Sequence, residues 1–120
     1  MIDLEQLIGK RIEAILKSDA SLYADYEIME ENGSEWGIIA IINDEDRVQR
    51  YEFFESEISW MRPEAIDQYN EVADDGIPVS VIVPSEASLA MSERVQKYGD
   101  RDISVFGYDA ILLRVKGLPP

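Results

Sequence analysis

The sequence predicts a mixed α/β (α+β) domain with the element order α-β-β-β-α-β-α-β. Three observations predict it. Apolar residues at helical spacing open the chain, an alternating strand leads through Asn32-Gly33 into an apolar strand, and a β-branched run, Ile77–Val83, separates two helical stretches. Because a hairpin is extended by strands that follow helices, we expect a mixed sheet with helices packed on it in two or three layers.

One domain is expected over residues 1–120. A chain of 120 residues is long enough to bury one core and too short for two. Hydrophobic residues make up 46% of it and charged residues 30%, a balance typical of a globular chain.

The first predicted helix runs to about Ser18. Asp3 begins it as a capping residue, with Gln6 at the third position after the cap. Its apolar residues recur at spacings of three, four and one, which places them on one face: Leu4, Leu7, Ile8, Ile12, Ile15 and Leu16.

Three strands follow as a meander. The segment Ser21–Glu31 alternates, as in a half-buried strand, and Asn32-Gly33 is typical of a tight type I′ turn. The strand Trp36–Ile42 is apolar on both faces, which predicts a central position in the sheet. An acidic turn then leads into a third strand, Arg47–Phe54.

The second half predicts helices alternating with strands. A helix from Ile58 to Val72 precedes Gly76, and Ile77–Val83 is a buried strand. A third helix is capped by Ser85, reaches Tyr98 and turns Leu89, Val95 and Tyr98 inward. The segments Ile103–Phe106 and Ile111–Val115 are expected to close the domain as one or two strands.

The chain is strongly acidic, with 25 acidic and 11 basic side chains and a formal charge of −14. Such a charge repels phosphate backbones and anionic lipid, so we expect no nucleic-acid partner and no membrane association. Residues 1–60 hold 15 of the acids and 5 of the bases, which predicts an acidic face there. This face either keeps the protein soluble or binds a basic protein or a cation.

Missing residue types exclude several kinds of chemistry. Without Cys there is no disulfide or thiolate nucleophile, and without His the common triads cannot form. No glycine-rich phosphate-binding pattern occurs. The N-terminus is unlike a signal peptide and no apolar run approaches the ~20 residues that span a bilayer, so a cytoplasmic location is expected.

Aromatic residues around the hairpin form a candidate interaction set: Trp36, Phe53 and Trp60. Exposed beside acids, they would suit a protein partner; the alternative is that they pack in the core. A meander also leaves an open strand edge, and an open edge favours a homodimer. The predicted partners are therefore a second copy of the chain or a basic protein.

Carboxylates form the candidate metal site, at Asp44, Asp46 and Glu52. Hard cations such as Mg²⁺ bind oxygen ligands of this kind, but Val48 and Gln49 break the calcium-loop pattern. The alternative is a solvated acidic turn. Asp25 and Glu27 share one face of a strand. They could form a carboxylate pair for acid–base chemistry, and the alternative is that both simply face solvent.

The element order resembles the core of the restriction-endonuclease-like (PD-(D/E)XK) nucleases, as does the run Ile77–Pro84 followed by a helix and Ile103–Phe106. The resemblance implies a Mg²⁺ site made by Asp25 or Asp44 together with Glu52. The family's Lys should stand two positions after Glu52, where this chain has Phe54, and Arg50 is a poor substitute because its charge is permanent. The resemblance therefore implies an inactive site.

Three functions follow as hypotheses. The first is a non-catalytic interaction or accessory domain that uses an acidic face. The second is a Mg²⁺-dependent hydrolase or nuclease-like enzyme that uses Asp25, Asp44 and Glu52, which requires these carboxylates to converge. The third is a small-ligand-binding regulatory domain with an enclosed apolar pocket.

Overall fold

A five-stranded mixed sheet lies between two layers of helices in the computed structural model, which describes residues 3–100 and 102–115. The helices are α1 (Leu4–Ser18), α2 (Ala65–Ala73), α3 (Ser88–Tyr98) and α4 (Tyr108–Val115). The strands are β1 (Tyr23–Glu31), β2 (Ser34–Ile42), β3 (Val48–Glu55), β4 (Val79–Val83) and β5 (Ile103–Gly107). Short 3₁₀ turns occupy Ser59–Met61 and Ser85–Ala87.

The strands lie in sequence order, β1-β2-β3-β4-β5. The first three form the expected antiparallel meander, and β4 and β5 pair parallel to β3 and to each other. The predicted mixed α/β sheet with packed helices is thus confirmed, in its three-layer form. The apolar strand β2 lies between β1 and β3, so it is an interior strand, although the centre of the sheet is β3.

Each face of the sheet buries its own core. On the face covered by α1 and α4, here called the α1 face, the fully buried residues include Ile8, Ile39, Ile41, Phe54 and Ile82. On the face covered by α2 and α3, here called the α2 face, they include Tyr69, Val79, Val81, Val83 and Met91. Successive residues of a strand alternate between these faces, so neighbours in sequence serve different cores.

Local signals in the first third of the chain produce the structure that they predict. Asp3 caps α1, since its Oδ1 accepts a hydrogen bond from the Gln6 amide at 3.1 Å. Asn32 and Gly33 both have positive φ, at 52° and 81°, as the tight turn between β1 and β2 requires.

The segment Ile111–Val115 is helical, so the prediction of a closing strand there is wrong. It belongs to α4, and the buried Ile111 packs into the core of the α1 face. A short apolar run does not by itself distinguish a buried strand from a buried helix. The choice here is made by packing against α1, which the sequence does not reveal.

Two further helices differ from expectation, one in where it begins and the other in which residues it turns inward. Ile58 and Met61 are exposed, because Pro63 holds Arg62 in an extended conformation and separates a 3₁₀ turn from α2. Leu89 and Tyr98 are also exposed, and α3 turns Met91 and Val95 inward instead. Among the described residues, no helix is long and apolar enough to cross a membrane.

Candidate interaction surface

The helices leave part of the α2 face uncovered. α2 packs over the end of the meander that holds Trp36 and Phe53, whereas Ile38, Ala40 and Tyr51, on the same face, are only half-buried. The sheet extends further than the helix that covers it. Because β2 is apolar on both faces, apolar side chains remain partly exposed beyond the end of α2. The result is an exposed, partly apolar sheet surface.

Two clefts lie on this surface and share Ile38 in their walls. One has a volume of about 460 Å³ and is bounded by β1, β2 and β3. The other, of about 320 Å³, lies between the sheet and α2. We call the two together the acidic groove, with Met29, Ile38, Tyr51 and Val72 as its apolar part and Asp25, Glu27, Glu71 and Asp75 as its carboxylates.

The charges of the acidic groove are all of one sign. Asp25 and Glu27 project from β1, while Glu71 lies on α2 and Asp75 in the turn after it, and all four are exposed. No lysine or arginine occurs among the described residues that line either cleft. A cleft lined by one sign of charge with apolar walls concentrates ions of the opposite sign.

A buried polar network holds the α2 wall of the groove in place. Glu55, at the end of β3, is fully buried, and its carboxylate accepts hydrogen bonds from Ser59 Oγ at 2.7 Å, Arg62 Nη2 at 3.0 Å and Tyr69 Oη at 2.5 Å. These donors lie on the 3₁₀ turn, the linker and α2. A buried carboxylate is tolerated only when it is paired in this way, so the network fixes α2 against the sheet.

Two tyrosines next to this carboxylate are held in their neutral form. Burial, and then the negative charge of Glu55, raise the pKa of the Tyr69 hydroxyl well above its usual value of 10.0. Burial likewise raises the pKa of Tyr108, whose hydroxyl donates to the Glu55 backbone carbonyl. Both tyrosines therefore remain donors over the whole physiological pH range.

The aromatic residues predicted for partner binding are placed mainly in the core. Trp36 and Phe53 are 3% and 2% exposed, and the Arg62 guanidinium stacks 3.7 Å from the centroid of the Trp36 ring. Phe53 packs edge-on against Tyr69, with ring centroids 4.9 Å apart. Trp60 is half-buried, and its backbone carbonyl accepts a hydrogen bond from Arg94. Trp36 and Phe53 reach the groove only as parts of its wall.

The carboxylates predicted for catalysis do not converge. Asp25 pairs with Ala40 and faces the α2 side, while Glu52 pairs with Ile39 and faces the α1 side. Glu52 is 1% exposed, and both of its oxygens accept from Arg11, with Nε and Nη2 each at 2.8 Å. Arg50 Nε adds a third bond at 3.2 Å. This arrangement neutralises Glu52 and blocks its oxygens.

Asp44 and Asp46 lie in the exposed turn between β2 and β3. The side chain of Asn43 closes this turn by accepting from the amides of Glu45 and Arg47. Glu52 lies four residues beyond the start of β3, about 13 Å along the strand at ~3.3 Å per residue. Across residues 3–100 and 102–115, no three acidic side chains are grouped to hold a metal ion.

A shared Mg²⁺ ion does not fit this set of residues. Its three carboxylates lie on opposite faces of the sheet and in a distant turn, and one of them is already paired with two arginines. Phe54, where the nuclease pattern has Lys, is fully buried in the core of the α1 face.

Sequence reasoning identified one half of the groove and missed the other. Asp25 and Glu27 were recognised as a pair on one strand face. Glu71 and Asp75 were not, because Asp75 lies in the turn after α2 and both residues reach the groove only through the packing of α2 on the sheet. The role of Glu55 was also missed; its parity with Phe53 places it on a buried face and is the signal that could have revealed it.

Comparisons of this chain with protein-family models, with curated proteins and with solved structures give no match.

Proposed function

We propose that this protein is a non-catalytic interaction domain that binds a basic segment of a partner protein in the acidic groove. The observation that carries the proposal is the groove itself, in which four carboxylates surround an apolar surface without a basic residue among the described lining residues. Apolar contact supplies affinity, and the uniformly negative charge favours a positively charged partner.

The overall charge supports the same partner. A formal charge of −14 attracts a basic protein over a distance of about 8 Å at physiological ionic strength, and this attraction speeds association. The carboxylates at the rim stay in water, so each contributes only about 0.5 kcal/mol to binding. Side chains that bury Ile38 and Val72 are expected to supply much of the rest.

A catalytic function finds no comparable support. The carboxylates Asp25, Asp44 and Glu52 are separated, and Glu52 is paired with Arg11. The likeness to the restriction-endonuclease-like nucleases stays a prediction about fold alone. A regulatory small-ligand domain also lacks support, since both clefts are open surface features and no enclosed apolar pocket is among the cavities described.

Fluorescence anisotropy with a labelled peptide of alternating Lys and Val tests the proposal. Removing two of the four groove charges by Asp25→Asn with Glu27→Gln should weaken binding by about fivefold at low salt, from ~0.5 kcal/mol for each rim charge. The control is Glu5→Gln with Glu13→Gln, which removes the same charge from exposed positions on α1, on the other side of the sheet.

The two pairs of substitutions separate site binding from general attraction. Equal weakening by both pairs would mean that the peptide responds only to net charge, and the proposal would fail. The same peptide with Glu in place of Lys should not bind at all.

A further inference from the structure

The strand that carries half of the groove's charge is also an edge of the sheet. All nine residues of β1 pair with β2 in an unbroken register, and no strand of the described chain pairs with its other side. Its outer backbone N–H and C=O groups are therefore available to an added strand.

The backbone of this edge is regular, and its protection against pairing is negative charge. Edge strands are commonly blunted by charged side chains, especially lysine, by proline or by a β-bulge. β1 contains no lysine or proline, the one register shift in the meander lies between β2 and β3, at Ile41/Ile42, and the charged side chains of β1 are all acidic. A regular nine-residue edge whose charges are all negative is a template for the addition of a basic strand.

The side chains of β1 specify what an added strand must carry. Asp25 and Glu27 point to the α2 face, into the acidic groove. Tyr26 and Ile28 point to the α1 face, where Ile28 joins the core and Tyr26 is 46% exposed. Since cross-strand neighbours share a face, a complementary strand alternates basic residues against the acids with apolar residues against Tyr26.

A second copy of the chain does not fit this edge. An antiparallel β1 pair related by a two-fold axis at Tyr26 would place Asp25 of each copy opposite Glu27 of the other, and an axis at Ile28 would place Asp25 opposite Glu31. Like charges directly opposite each other destabilise a strand pair. The charge on β1 thus disfavours self-pairing and favours a basic strand.

We propose that the basic partner segment binds by β-strand addition, as a sixth strand on β1, with alternating basic and apolar side chains. This inference rests on the proposed function, because it takes the occupant of the acidic groove to be basic. It adds a backbone geometry and a sequence pattern for the partner: opposite Asp25, Tyr26, Glu27 and Ile28, every second residue is Lys or Arg, and those between are apolar.

Backbone N-methylation of the alternating Lys-Val peptide tests strand addition without changing charge. Two peptides are needed, one methylated at the odd-numbered residues and one at the even-numbered residues. Because successive N–H groups of a strand point to opposite edges, one of these two phases blocks the N–H groups that face β1, and the other blocks only those that face away. We expect one phase to lose at least tenfold in affinity and the other to bind within about twofold of the parent, because only one edge of the added strand donates to β1.

Hydrogen exchange of the protein amides supplies the second readout. Alternate amides of β1 should gain protection when the parent peptide binds, whereas the amides of α1 should not change.

The outcomes separate this inference from the proposed function. If the peptide binds, and binding weakens with Asp25→Asn and Glu27→Gln, but both methylated phases bind alike, the groove takes a basic segment without strand addition and the inference fails alone. If no alternating basic peptide binds, both fail. Light scattering that shows a stable dimer broken by β1 substitutions would assign the edge to a second copy and overturn the inference.

Discussion

Asp25 and Glu52 lie on opposite faces of one sheet, on the first and third strands of a single meander. Asp25 is exposed at the acidic groove on the α2 face, whereas Glu52 is buried under α1 between Arg11 and Arg50. The alternation of side chains along paired strands imposes this separation. It divides the acidic residues into an outward-facing set that can meet a partner and an inward-facing set that holds the fold together.

The pairing of Arg11 with Glu52 is expected to stabilise the fold. Arg11→Met should lower the free energy of unfolding by about 3 kcal/mol, because it leaves a buried carboxylate with only Arg50 beside it. Chemical denaturation measures this change. Lys17→Met is the control, since Lys17 pairs with Glu13 in an exposed position at 3.7 Å and should cost less than about 0.5 kcal/mol. Equal effects of the two substitutions would contradict a structural role for Glu52.

The hydrogen bond from Tyr69 to Glu55 is expected to stabilise the fold at neutral pH. Tyr69→Phe removes one donor from a fully buried carboxylate and should cost about 1 to 3 kcal/mol at neutral pH. Tyr98→Phe is a matched control, because the Tyr98 side chain is largely exposed. A Tyr69→Phe protein as stable as the wild type would show that α2 does not depend on this network.

Alkaline pH should weaken the fold through the same residue. The pKa of Tyr69 is raised in the folded state above 10.0, so its contribution to stability is fully present below pH 10 and is lost as pH rises beyond that value. The pKa of Tyr108 is also raised by burial, so this residue likewise loses its contribution to stability at alkaline pH. Melting temperatures measured from pH 8 to 12 should fall less steeply above pH 10 in Tyr69→Phe than in the wild type. Parallel curves would contradict the assignment.

The close approach of β2 to α1 depends on a glycine. A Cβ added at Gly37 would overlap Ile8 Cδ1, so Gly37→Ala should cost about 1 to 3 kcal/mol. Ile8→Val removes that atom and costs about 1 kcal/mol alone. The double variant should cost clearly less than the sum, because the second change relieves the clash of the first.

Gly9→Ala provides the control for that pair. Nothing lies within 4 Å of a Cβ at Gly9 in α1, so this substitution should stabilise the helix by about 0.5 to 1 kcal/mol. Additive effects of Gly37→Ala and Ile8→Val would show that the two residues are not in contact.

Magnesium should not stabilise the protein. Because Asp25, Asp44 and Glu52 are separated, addition of Mg²⁺ in the millimolar range should leave the melting temperature unchanged. A rise in melting temperature that Asp44→Asn or Glu52→Gln abolishes would restore the metal-dependent hypothesis.

The sequence predicts correctly those parts of the fold that depend on a few adjacent residues, such as helix caps, tight turns and apolar strands. The cap at Asp3, the turn at Asn32-Gly33 and the interior position of β2 each follow from residues adjacent in sequence. The helix α4 could not be predicted from its own residues, because its helical form depends on the burial of Ile111 beside α1. The groove was only half predicted for the same reason: Glu27 and Glu71, 44 positions apart in the chain, are brought to one surface by the packing of α2 on the sheet.

Methyl NMR spectra recorded during titration with the alternating Lys-Val peptide test the central claim most directly. The acidic groove predicts shifts at Met29, Ile38 and Val72, which line it, and none at Ile8 and Ile15, which belong to α1 on the opposite face of the sheet. Shifts confined to the α1 face, or none at saturating peptide, would contradict the claim that this protein binds basic segments through its acidic groove.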